Sequence, residues 1–360
     1  MSMLKPSEVK EVMSGQQADA VKPERRLTIA EALREAIAEE MRRDESVFLI
    51  GEDIGVPGGF GGAFGVYLGL TEEFGHARII DTPISEKAIL GAAIGAAMMG
   101  MRPIADLQYG DFIYCCMDEF ANEAPKIRYM SGGKIKVPVV FRAPVGATRR
   151  GAQHGQSPET VAMHIPGWKV VCVSDAYDAK GLLKTAVRDD NPVVIFEHKL
   201  LYGSKGREQA GGFDLTCPVP QEEYLIPFGQ AKIRREGSHV TVVATHLMLY
   251  RSLVAAEALA QEGIEVEVID PRTLVPLDKE TILNSVMKTG RLVTVHEDNL
   301  TAGWGAEVAA LAASECFYSL EAPIQRVATY DVPVPFAPVM EDYVVPSVER
   351  ITQAIRATLK

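Results

Sequence analysis

The sequence predicts an α/β protein made of two doubly wound domains, each a parallel sheet covered by helices on both faces. Three observations predict it. Short apolar runs alternate with helical patterns along nearly the whole chain, which is the rhythm of successive βαβ units. The chain has 360 residues, 47% of them hydrophobic, which is enough for two cores. Between the two halves, residues 209–228 lose their periodicity and carry Gly211, Gly212, Pro218, Pro220 and Pro227, the composition of a linker. These boundaries give an N-terminal arm over residues 1–25, a first domain over 26–217 and a second over 218–360.

The elements follow in order. Thr28-Ile29-Ala30-Glu31 has the form of a capping box and opens a helix with Ala32, Leu33, Ala36, Ile37 and Met41 on one face. A strand over 47–50, a Gly-rich loop over 55–65 and a strand over 78–80 come next. A helix over 85–100 leads to a strand at 103–108 and a longer helical pattern over 113–130. Strands at 137–142, 170–173 and 193–197 complete the first unit. After the linker, strands at 240–244, 266–269, 292–295 and 325–327 alternate with helices over 247–262, 279–287 and 305–317. A last helix covers 348–359.

Composition excludes several functions. With 37 Lys and Arg against 48 Asp and Glu, the formal charge is −11, and no dense basic stretch exists, so nucleic-acid binding is not expected. No run approaches the length of a membrane span, so no membrane association is expected either. The five cysteines are odd in number and lack metal-ligand spacing, which fits a reducing compartment. Residues 1–25 mix Lys with Glu and Asp and have no apolar centre; they read as a flexible arm, not a secretory or transit signal. Neither Gly59-Phe60-Gly61-Gly62-Ala63-Phe64 nor Gly303-Trp304-Gly305-Ala306-Glu307-Val308 completes a dinucleotide fingerprint, and no phosphate loop is present.

The helix starting near Ser85 is unusual. Gly91, Ala92, Ala93, Gly95, Ala96, Ala97 and Gly100 leave it almost without side chains, so something large must approach it closely. Spacing alone makes Glu86 a first-turn carboxylate that complements a helix N-terminus. At the mouth of a dry contact, the same carboxylate could keep a proton-exchanging role. Phe112 reads equally as a core aromatic or a stacking ring. His154 lies in a loop between Gly151 and Gly155, while His76, His164, His198, His239, His246 and His296 have no acid or nucleophile at telling spacing.

Several long motifs, in order, carry a resemblance. They are Phe48-Leu49-Ile50-Gly51-Glu52-Asp53, Arg78-Ile79-Ile80-Asp81-Thr82-Pro83-Ile84-Ser85-Glu86, Arg128-Tyr129-Met130-Ser131-Gly132-Gly133, Ala152-Gln153-His154-Gly155-Gln156-Ser157 and Asp178-Ala179-Lys180-Gly181-Leu182-Leu183, with Asp189-Asp190-Asn191-Pro192 and Asp331-Val332-Pro333. From about Leu27 to Leu359 the chain resembles the beta subunits of the thiamine-diphosphate-dependent decarboxylating component of 2-oxo acid dehydrogenase complexes. The resemblance implies a pyrimidine-binding transketolase-like domain followed by a transketolase C-terminal-like domain. It places Glu86 on the pyrimidine nitrogen of the cofactor, Glu52 near the same ring and Phe112 against it. It assigns His154 either to proton transfer or to steadying the intermediate during acyl transfer to a lipoyl group. It further implies a potassium site at Val139, Ala186, Val187, Asp189 and Asn191. Gly155 stands where many relatives carry Ser, and Arg149-Arg150 where small residues are common.

The Gly-Asp-Gly motif that holds Mg2+ and the diphosphate in such enzymes is missing from this chain. The resemblance therefore implies an alpha subunit that supplies it, an α2β2 heterotetramer, and a lipoyl-bearing acyltransferase core as the acceptor, to whose basic surface an acidic chain is suited. The expected activity is decarboxylation of pyruvate or a branched-chain 2-oxo acid. Acetoin cleavage is the alternative, and a non-catalytic scaffold the alternative of another class. The expected location is a bacterial-type cytoplasm, with an organellar matrix as the alternative.

Overall fold

The computed structural model describes residues 25–56, 59, 61–203, 209–210 and 213–360. The expected arm lies outside the described residues except for Arg25, whose guanidinium is paired with Glu35 at 2.6 Å. The first domain begins with α1 (Ile29–Arg43). Its capping box forms: the Thr28 hydroxyl accepts from the Glu31 N–H, and the Glu31 carboxylate accepts from the Thr28 N–H. Then come β1 (Val47–Glu52), β2 (Ile79–Thr82), α2 (Glu86–Met98), β3 (Arg102–Asp106), β4 (Val140–Val145), α3 (Glu159–His164), β5 (Lys169–Val173), α4 (Ala176–Arg188) and β6 (Val193–His198).

The second domain contains β7 (Lys232–Arg235), β8 (Val240–Ala244), α5 (His246–Ala260), β9 (Val266–Asp270), β10 (Thr273–Val275), α6 (Lys279–Thr289), β11 (Leu292–Asn299), α7 (Trp304–Glu315), β12 (Gln325–Thr329), α8 (Pro338–Val344) and α9 (Val348–Ala357). Its sheet has the order β7-β9-β8-β11-β12, parallel except for the antiparallel edge strand β7. The first sheet runs β10-β5-β6-β4-β3-β1-β2. Six of its strands are parallel, and β10 joins antiparallel although it follows the second domain's strands in the chain. The two halves therefore share a sheet edge, and neither is a wholly separate body.

Three expectations change. The helical pattern over 113–130 is not one helix: it is a 3-10 segment (Gly110–Cys116), a π turn (Glu119–Glu123) and one α turn (Ile127–Met130). Pro125 supplies no N–H and restricts Ala124, so a continuous ladder cannot pass through it. The expected strand at 137–142 begins only at Val140, because Pro138 cannot donate to a neighbour. The linker is not a free tether either. Cys217–Pro218 pairs with Arg26–Leu27, and Tyr224 stacks on Tyr177 of α4 at 4.5 Å. Among the described residues, those from 213 to 228 form a strap laid along the first domain.

Beneath the first sheet's C-terminal edge lies a buried ionic knot. Arg142 of β4, 1% exposed, donates to Asp106 of β3 at 3.0 Å and to Glu197 of β6 at 2.8 Å, while Tyr67 and Tyr202 close the ring. Burial pushes the Asp106 carboxyl up, with Arg142 opposing. Removing the cation would leave two acids buried and uncompensated, the costly way to break such a cluster. Arg142→Met should therefore destabilise the chain by about 3–5 kcal/mol in urea unfolding. A loss below about 1 kcal/mol would show that the knot is not structurally important.

Candidate active site

In parallel α/β sheets the loops leaving the carboxyl ends of the strands build the site. Glu52 is the last residue of β1, and Glu86 opens α2 after β2. Tyr109 and Phe112 follow β3, the loop over 146–156 follows β4, and Lys199 follows β6. Four of these loops carry the residues singled out from sequence, and they fall into two linked groups.

The first group is acidic. Glu86 is half-buried on the first turn of α2, where Ser85 makes no side-chain cap. Among the described residues no hydrogen bond or ion pair ties its carboxyl. Glu52 lies within electrostatic reach: burial pushes its carboxyl up, and the charges of Asp53, Glu86 and Asp81 push it further. The Thr82 hydroxyl beside them is buried without a partner. An acid pair and an orphaned hydroxyl at one strand edge make a polar pocket wall with spare hydrogen-bonding capacity.

The second group is aromatic. The His154 ring meets Tyr109 edge-on at 4.9 Å and Phe112 at 5.4 Å, and Tyr109 meets Phe112 at 5.5 Å. The Lys199 ammonium lies 4.8 Å from the Tyr109 ring centroid and donates to the His154 carbonyl. The Gln156 amide donates to Asp111 at 2.9 Å, which fixes the far end of the loop. Gln108 bridges the groups, its amide reaching the Glu52 carbonyl at 3.4 Å.

The second domain holds the histidine loop in place. Glu297 of β11 accepts from the Ala147 N–H at 2.6 Å and from His198 Nε2 at 2.8 Å. The Leu200 N–H donates to His198 Nδ1, so the ring hydrogen sits on Nε2 and points at Glu297. Burial pushes the Glu297 carboxyl up, but His198 and the Ala147 N–H outweigh it and hold it down at about 2. Gly146 has φ 94°, and a Cβ there would lie 2.1 Å from His198 Nε2; only glycine fits. Farther along, the Arg149 N–H and guanidinium engage Glu341 at 2.7 and 3.1 Å.

Sequence reasoning missed Tyr109 and Lys199 as site residues, and it assigned no partner to His198 or His246. His198 pairs with Glu297 across 99 residues, and His246 Nδ1 faces Glu159 at 3.3 Å. No local spacing reports contacts of that range. Tyr109 was within reach of a pattern argument, since it stands three residues before Phe112 at the same strand end.

The five positions assigned to a potassium ion share another corner. The Val139 carbonyl accepts from Val193 N–H and that of Ala186 from Asp189 N–H, while Arg102 donates to the carbonyls of Val187 and Asp189 at 3.0 and 2.9 Å. The Asp189 carboxylate accepts from Asn191 at 2.8 Å and is paired with Lys169. Each carbonyl oxygen keeps a second lone pair. Oxygen donors whose charge is already largely neutralised fit a monovalent ion better than a divalent one.

The two linked sheets define a class: a two-domain α/β chain of the transketolase type. Comparisons agree. Residues 25–205 match the transketolase pyrimidine-binding domain and residues 229–351 the transketolase C-terminal domain. The chain is 48% identical over 344 residues to the acetoin:2,6-dichlorophenolindophenol oxidoreductase subunit beta of Cupriavidus necator, covering 93% of this chain and 98% of that one. It is 43% identical to the 2-oxoisovalerate dehydrogenase subunit beta of Bacillus subtilis, covering 92% and 98%. It is 46% identical to the pyruvate dehydrogenase E1 component subunit beta of Rickettsia conorii, covering 92% and 97%. A solved structure titled split gene transketolase, inactive beta4 tetramer, shares the fold with a TM-score of 0.72 at 21% identity over 92% of this chain and 98% of that one. The chain belongs to the family of beta subunits of thiamine-diphosphate-dependent 2-oxo acid and acetoin dehydrogenase components. No helix among the described residues is long and apolar enough to cross a membrane.

Lys199 offers a direct check of the site's electrostatics. Burial pulls its ammonium down to about 8, with Asp111 and Glu297 opposing and Arg150 assisting. The side chain should therefore be charged below pH 8 and neutral above it, whereas an ordinary lysine stays charged to beyond pH 10. A 13C-lysine NMR titration assigned with Lys199→Met should show the low midpoint. A midpoint above 10 would contradict the buried placement.

Proposed function

We propose that this chain is the beta half of a two-chain thiamine-diphosphate enzyme that decarboxylates a 2-oxo acid and passes the acyl group to a lipoyl domain. The observation that carries the reading is Glu86: a carboxyl with no partner among the described residues, at the open strand edge of a pyrimidine-binding domain. When bound, thiamine diphosphate supplies the electron sink for cleavage of the bond between the carbonyl carbon and the carboxylate. Glu86 would hold the pyrimidine nitrogen, and the adjoining Glu52, its carboxyl pushed up by burial and by the neighbouring acids, would lie near the same ring. Phe112 would give the ring an apolar contact, and His154 would hold or move a proton beside the substrate.

The other end of the cofactor needs a second chain, because Gly-Asp-Gly is missing here. An alpha subunit carrying it with Mg2+, in an α2β2 assembly, completes the reading. The surface around α2 supports such a neighbour. Ala88, Ala92, Gly95, Met98 and Met99 face outward, a Cβ on Gly95 would meet nothing within 4 Å, and Ile84 and Tyr129 are 74% and 88% exposed. The same residues would serve acetoin cleavage, acetoin being the substrate in the name of the Cupriavidus necator relative.

Reconstituted with such a partner, Glu86→Gln should lower turnover by about 100-fold or more while thiamine diphosphate still binds. Full activity of the variant would contradict the assigned role. For the corner at Asp189, we propose a potassium ion bound by the oxygens of Val139, Ala186, Val187, Asp189 and Asn191. The melting temperature should then be higher in KCl than in NaCl of equal ionic strength, and identical melting curves would contradict it.

A further inference from the structure

Two adjacent guanidiniums in the histidine loop have different fates. Arg149, with φ 63°, is fully engaged: it meets Glu341 at 3.1 Å, Asp342 at 2.7 Å and the Pro338 carbonyl at 2.8 Å. Arg150 has no hydrogen-bond or ion-pair partner among the described residues. Its guanidinium carbon lies 5.9 Å from the Tyr109 ring centroid, and it lines a cleft of about 390 Å³ with Thr148, Arg149, His154 and Phe336. The Thr148 hydroxyl in that cleft is buried and also lacks a partner.

Resting on the function proposed above, we infer that Arg150 determines specificity by reading the substrate carboxylate, and so favours anionic 2-oxo acids over neutral acetoin. The nearby carboxylates are committed elsewhere. Glu297 accepts from Ala147 and His198, Glu341 from Arg149, and Asp111 takes both its bonds from Gln156 on Oδ1, its Oδ2 being buried without a partner outside the cleft lining. The cleft lining therefore presents a free cation and an unsatisfied hydroxyl and contains no carboxylate. A planar guanidinium matches the two oxygens of a carboxylate, and the Phe336 ring in the cleft lining can receive a short alkyl chain. Acetoin has no anionic group, so Arg150 gives it no corresponding advantage.

The test compares pyruvate, 2-oxoisovalerate and acetoin with the reconstituted pair, using a dye as electron acceptor so that no lipoyl domain is needed. In Arg150→Gln, KM for the 2-oxo acids should rise about tenfold or more. The ratio of kcat/KM for 2-oxo acid to that for acetoin should fall by a similar factor, and Arg150→Lys should recover part of the loss. An unchanged ratio would overturn the inference. So would a defect seen only with a lipoyl domain as acceptor, which would assign Arg150 to protein docking. If the wild-type pair turned over none of the three substrates, the proposed function itself would fall, and this inference with it.

Discussion

One buried guanidinium organises the site. Arg142 ties β3, β4 and β6 together through Asp106 and Glu197, and each of those strands leads directly into a site loop. From β3 the chain reaches Tyr109 and Phe112, from β4 the loop bearing His154, and from β6 Lys199. Fixing these three strands fixes the start of the three loops they lead into. A hydrophobic contact would hold the strands as tightly but would not orient them, whereas fork-shaped hydrogen bonds set both distance and angle. Two tyrosine hydroxyls complete the knot, so the polar groups are paired within a dry interior.

The second domain adds what the first sheet cannot supply. Glu297, Glu341 and Asp342 grip the loop over 146–156 from outside, at Ala147 and Arg149, while Lys199 holds the His154 carbonyl from within. The loop is thus clamped on both sides, and its histidine is presented against Tyr109 and Phe112. The shared strand β10 makes the domains one framework. The acidic end at Glu52 and Glu86 is different. It has no comparable clamp among the described residues, and α2 beside it turns a face of glycine, alanine and methionine outward. The histidine loop is clamped within this chain, whereas the face beside the acidic end is uncovered among the described residues.

Much of this was legible in the sequence. Alternating βαβ rhythm located the two sheets, and the capping box at Thr28 located the first helix, because both signals are local. The small residues of the helix beginning near Ser85 call for a close neighbour, and among the described residues nothing covers its outer face. Other features were not legible. Pro125 and the run of aromatic and sulfur side chains before it break a pattern that hydrophobic periodicity alone reads as one helix. The pairing of His198 with Glu297, the service of β10 in the other domain's sheet and the clamp on Arg149 depend on contacts about 100 or more residues apart in sequence. Lys199 reads as an ordinary charged residue until its burial against Tyr109 is known.

The central claim is that this chain holds half of an active site and that a second chain must hold the rest. Calorimetric titration of Mg2+ and thiamine diphosphate tests it most directly, using this chain alone, the Gly-Asp-Gly partner alone and the two combined. Tight saturable binding should appear only in the mixture, together with turnover. Equally tight binding to this chain alone would contradict the claim, because the pyrimidine end would then suffice.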